Sequence, residues 1–140
     1  MCRRASTSSA KADAALLPLR FPRFWSVLGW VLVAAVIVGS LIPGQAVPSV
    51  GISDKVLHST AYFVLMVWFA GFYRRGLYPT IAIVLLALGI GLDALQLLTD
   101  TRSFDWYDVA MNSAGVAAGF ALSLLLLGGW CQRVEERLLS

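Results

Sequence analysis

Four long apolar runs constrain this chain more than anything else in it. They lie at about Phe24 to Ile42, Val56 to Phe72, Leu77 to Leu98 and Val109 to Trp130, each about 17 to 22 residues long. A helix rising 1.5 Å per residue needs roughly 20 residues to cross about 30 Å of hydrocarbon. An open strand would leave backbone groups unpaired in lipid, so helices are the predicted form. The reading is all-α: a polytopic membrane protein with a four-transmembrane-helix bundle over residues 24–130. A flexible basic cytoplasmic tail (1–23) precedes the bundle and a short cytoplasmic tail (131–140) follows it. The second run is the shortest and leaves little room for tilt. Pro18 and Pro22 delay the start of the first helix.

Composition supports the same class. The chain is 59% hydrophobic and 14% charged, with mean hydropathy +0.76. Soluble domains are about 45–50% apolar and about 25% charged. A soluble enzyme, a disordered chain and a disulfide scaffold are all disfavoured. The first run exceeds the 7–15 residues usual for the core of a signal peptide, so a retained anchor is expected. No metal or other cofactor is expected. Cys2 and Cys131 stand near opposite ends without metal-ligand spacing, and His58 is the only histidine.

Charge sets the predicted orientation. Nine of the 11 Lys and Arg residues fall before the first run, between the second and third, or after the fourth. Only Lys55 and Arg102 fall on the other side. The positive-inside rule then puts both termini in the cytoplasm, with the Leu41–Asp54 and Thr99–Tyr107 loops outside. Both cysteines stand on the reducing side and should stay unpaired. The net charge of +3 reads as an orientation signal, and no nucleic-acid partner is expected. Phe24, Trp25, Tyr73, Tyr78, Trp106, Tyr107 and Trp130 occur near span ends, where aromatic side chains anchor at the membrane interface.

The polar residues gather at one level. Lys55 and His58 open the second span, Asp93 and Gln96 close the third, and Arg102, Asp105, Asp108 and Asn112 lead into the fourth. The derived topology brings all of them to the outer face. An acid inside a span costs about 2.5–3.5 kcal/mol on insertion scales, so such residues mark sites. Asp54 and His58 are spaced i, i+4, Asp93 and Gln96 i, i+3, and Asp108, Asn112, Gly115 and Gly119 form one helical stripe. Gly115 to Gly119 is a GxxxG segment, read mainly as packing. Asp54 and Asp105 also suit helix N-termini. Asp93 has no such explanation, because it sits near the negative end of its helix.

These residues carry a resemblance. Asp54-Lys55-Val-Leu-His58-Ser-Thr-Ala-Tyr62, then Asp93-Ala-Leu-Gln96, then Arg102-Ser-Phe-Asp-Trp-Tyr-Asp108 through Asn112 to Gly115 resemble the ordered motifs of the VanZ-like family. The match runs from about Leu41 to Gly119. The family pattern has Glu where this chain has Asp93, one methylene shorter. The resemblance implies a small bacterial inner-membrane protein of the cell envelope, from a family associated with glycopeptide resistance.

Three functions fit these residues. The favoured one is binding or modulation of an anionic envelope lipid or cell-wall precursor. Lys55 and Arg102 would hold the anion, Gln96 and Asn112 would orient it, and Asp93 would order Arg102, with His58, Asp105 and Asp108 alongside. The second is a membrane-embedded enzyme in which His58 acts as general acid or base with Asp93 or Asp108, although no nucleophile is marked. The third is a structural or assembly role. Membrane lipids are expected partners in every case, and a homo-oligomer stays open.

Overall fold

The computed structural model describes residues 15–41, 54–96 and 106–138. Its elements are α1 (Pro22–Leu41), α2 (Asp54–Phe72), a 3-10 turn (Arg75–Leu77), α3 (Tyr78–Gln96), α4 (Trp106–Leu122), a π-helical turn (Ser123–Leu127) and α5 (Trp130–Leu138). The all-α expectation holds among the described residues, apart from an isolated antiparallel bridge between Leu16 and Tyr73. Pro22 is the first residue of α1, a position where its missing N–H would have had no helical partner.

Three helical stretches are long and apolar enough to cross a membrane: Pro22–Leu41, Arg75–Leu95 and Trp106–Leu127. The apolar part of α2, Val56–Phe72, is shorter. Burial shows why its length is tolerated. Tyr62, Leu65, Met66, Ala70 and Phe72 of α2 are all at most 1% exposed, so the other helices cover its apolar face. Those helices turn large apolar side chains outward instead, among them Trp30 and Val38 of α1, Ile83 and Val84 of α3, and Leu125 at the end of α4. Such an apolar exterior suits lipid.

The closest helix pair is α2 and α4, which run parallel. Gly115 stands against the Ser59 carbonyl, and a Cβ there would fall well inside van der Waals contact with that backbone. One turn on, a Cβ at Gly119 would lie 2.9 Å from the Phe63 carbonyl oxygen and from the Met66 Cβ. The GxxxG stripe is thus the seam that lets two backbones approach.

The end of the bundle that carries the start of α1 is fastened more elaborately than the sequence suggests. Residues 15–21 belong to the stretch read as a flexible tail, yet Leu17 N–H donates to the Phe72 carbonyl (2.8 Å) and Arg74 N–H to the Ala15 carbonyl (3.1 Å). Residues 131–138, expected as a short tail, form most of α5. The fourth helix ends before Trp130, because Gly129 takes φ 71° and turns the chain back. Only glycine enters that region without steric cost. In α5, Glu135 is 8% exposed. Its carboxylate accepts the Arg20 N–H (2.6 Å), the Phe21 N–H (3.0 Å) and the Trp25 indole N–H (2.8 Å).

Two aromatic expectations change here. Trp25 and Tyr78 are 8% and 1% exposed, so they are interior residues and not membrane-interface anchors. Each polar tip has an internal partner, which makes burial affordable. Trp25 donates to Glu135, and the Tyr78 hydroxyl donates to the Ala70 carbonyl (2.8 Å). Trp25, Trp68 and Trp130 stack mutually at ring centroid distances of 5.2–5.8 Å. Phe24, Trp106 and Tyr107, by contrast, face outward.

Cys131 is fully buried beside this cluster and forms no disulfide. Burial, with the nearby Glu135 charge adding to it, pushes its thiol up to about 12. The reactive species is the thiolate. We therefore expect Cys131 to resist maleimide at pH 8 while the protein is folded and to react once it is denatured. Intact-mass labelling of a Cys2→Ser variant checks this.

Candidate functional site

The candidate site lies at the opposite end, where α2 and α4 begin and α3 finishes. It can be built from the backbone contacts upward. Seating Gly115 on Ser59 fixes the register of α4 against α2. Asn112 lies one turn before Gly115 on the same stripe, and that register turns it into the bundle, where it is 2% exposed. Helical side chains lean toward the start of their own helix. Tyr62 of α2 accordingly reaches up toward Asn112. The meeting point is Gly89 of α3. A Cβ built there would lie 3.2 Å from both the Tyr62 hydroxyl and the Asn112 Nδ2. Three helices thus bring a phenol, a carboxamide and a bare stretch of backbone to one spot.

Titratable groups stand one turn from this spot on each helix, nearer that end of the bundle. His58 precedes Tyr62 by four residues, Asp93 follows Gly89 by four, and Asp108 precedes Asn112 by four. Asp93 is 3% exposed. His58 and Asp108 are half-buried. In the described residues, then, α2, α3 and α4 turn His58, Asp93, Asp108 and Asn112 toward the same end of the bundle. Arg102 and Asp105, and the side chains of Lys55 and Gln96, lie outside the described residues. No group of three His, Cys, Asp or Glu side chains that could hold a metal ion occurs among the described residues.

Asn112 has a further property. Neither its Oδ1 nor its Nδ2 has a hydrogen-bond partner among the described residues. Buried carboxamides are seldom left so, because an unpaired buried donor or acceptor costs about 1–3 kcal/mol. Chemically, the site offers a neutral donor-acceptor pair, with a carboxylate and an imidazole one turn nearer the end of the bundle. Such a set can orient a polar group. Tyr62 is the site residue that sequence reasoning missed. It was visible at the end of the first motif, four residues after His58, but an aromatic in an apolar run reads as core.

Apolar helices packed round one covered helix, with acid and amide buried at one end, define an all-α membrane protein with an internal polar site. The chain belongs to the VanZ/LLP1 family, whose model matches residues 4–127. No curated protein and no solved structure matches the chain.

Proposed function

We propose that this protein binds an anionic, phosphate-bearing lipid or cell-wall precursor of the envelope at the Tyr62–Asp93–Asn112 site. The observation that carries the reading is the buried Asn112 carboxamide, whose two polar atoms lack partners among the described residues. A ligand that both donates and accepts there would complete them. Arg102 is assigned the anion, since a guanidinium matches phosphate oxygens in two-point geometry. Asp93 is assigned the ordering of that arginine. The chain crosses the inner membrane four times in this reading, with both termini in the cytoplasm and the site in the outer leaflet.

Asn112→Leu separates binding from folding. Leucine has similar bulk and no polar atoms to desolvate. If Asn112 serves a ligand, the variant should be as stable as the wild type or more so, by about 1 kcal/mol, while losing the bound lipid. Mass spectrometry of lipids retained by the purified protein tests it. Wild type should keep one more anionic lipid per chain than Asn112→Leu or Arg102→Ala keeps. Equal retention by all three proteins would end the proposal. Lost stability in Asn112→Leu would instead assign the residue to helix packing.

A further inference from the structure

At the other end of the bundle lies a cleft of about 320 Å³ that the proposed site does not use. It opens between the α2–α3 connection, the turn after α4, and α5. Tyr73, Arg75 and Tyr78 form one wall, and Gln132, Arg133 and Glu136 form the other. Gly128 and Gly129 lie between the walls and expose backbone there. Gly89, at the proposed site, is eleven residues along α3 from Tyr78. At 1.5 Å per residue this separates the two places by roughly 16 Å.

The charges in the cleft do not cancel. Two guanidinium groups face one carboxylate, and that carboxylate already accepts a hydrogen bond from Gln132 Nε2 (3.2 Å). Arg133 is held in place by its own chain. One of its terminal nitrogens donates to the carbonyls of Leu126 (2.9 Å) and Gly128 (3.4 Å), where the fourth helix ends. A guanidinium has five N–H donors, so the fork retains capacity toward the cleft. Arg75, Arg133 and the buried Tyr78 line the same cleft. The leucines just before the glycine turn, Leu125 and Leu126, are 76% and 65% exposed. Two guanidinium groups, one of them tied to the Leu126 carbonyl, therefore line the cleft at the end of the bundle, close in the chain to exposed leucines. Basic pockets between helices at a membrane boundary suit lipid head groups.

We infer that the cleft between Arg75 and Arg133 binds a phosphate group, the two guanidinium groups gripping its oxygens. The phosphate of a phospholipid head group and free phosphate share this chemistry. The inference stands independently of the ligand proposed at Asn112.

The full-length protein in detergent tests it, on an Asn112→Leu background that empties the other site. Native mass spectrometry counts dioleoylphosphatidylglycerol bound per chain, with dioleoylphosphatidylcholine and inorganic phosphate as separate arms. The background protein should retain one phosphatidylglycerol, and Arg75→Gln combined with Arg133→Gln should lower its affinity about tenfold or more. Arg75→Gln alone keeps the Arg133 bonds that close α4, so it is the variant to read if the double one does not fold. It should show most of the loss. Glu136→Gln removes the opposing carboxylate and should strengthen binding. Displacement by inorganic phosphate points to phosphate as such, and its failure to displace assigns the site to a lipid. Unchanged phosphatidylglycerol binding in Arg75→Gln, or no binding of either probe to the background protein, overturns the inference.

Discussion

Replacing Gly115 with valine is expected to abolish folding of the bundle. The wild-type backbone of α4 rests on the Ser59 carbonyl, and even a single Cβ at 115 would overlap it. Neither partner can yield, since each is main chain in the middle of a helix. Overpacked cores usually lose about 1–3 kcal/mol through shifts of side chains. Here two helices must separate along their whole seam, so Gly115→Ala should cost at least about 3 kcal/mol and Gly115→Val more. Gly39 of α1 is the control, because a Cβ there meets nothing within 4 Å. Gly39→Ala should be neutral or gain about 0.5–1 kcal/mol from backbone entropy. Thermal unfolding in detergent, followed by circular dichroism, compares them. Equal melting of Gly115→Ala and Gly39→Ala would refute the packed seam.

The second large effect is expected at Glu135. Removing its carboxylate in Glu135→Ala strands two backbone N–H groups and the Trp25 indole at once. Bonds to a charged acceptor are worth about 1.5–3 kcal/mol each, and the buried Trp25 indole left without its acceptor adds its own penalty, so a loss of about 3 kcal/mol or more is expected. The effect depends on pH with a definite sign. Burial works to raise the Glu135 pKa, but the Arg20 amide, the Trp25 indole, the Phe21 amide and the Arg20 charge together bring it below its ordinary 4.5. A carboxyl lowered on folding stabilises the folded state fully above its unfolded pKa. That contribution fades as pH falls through the folded value. Wild type should therefore lose its advantage over Glu135→Gln on acidification below about pH 4.5. A stability gap that stays constant from pH 7 to pH 3 would contradict this.

Much of the architecture is legible in the sequence, for a clear reason. A bilayer accepts only long apolar helices, so runs such as Leu77 to Leu98 leave little choice of structure. Spacing then shows which residues share a face. Asp108, Asn112 and Gly115 lie on one stripe whatever the neighbours are, so once Gly115 is seated the direction of Asn112 follows. The neighbours themselves are not legible. Trp25 and Tyr78 read as interface anchors because position along a helix says nothing about which side is covered. Glu135 was invisible for a different reason. It stands in a short charged stretch after the last apolar run, and its partners are backbone groups, which carry no residue-type signal. Tyr62 was masked by its surroundings, an apolar run in which one hydroxyl does not change the period.

The hydrogen bonds between Glu135 and residues 20 and 21 join positions 115 and 114 apart in the chain. Every residue from 20 to 135 must be made before they can form. Until then the Arg20 and Phe21 amides, just before α1, lack this acceptor, however early that helix enters the membrane. The latch on the first helix therefore forms only after α4 has been made, and a chain interrupted within α4 leaves that helix unlatched.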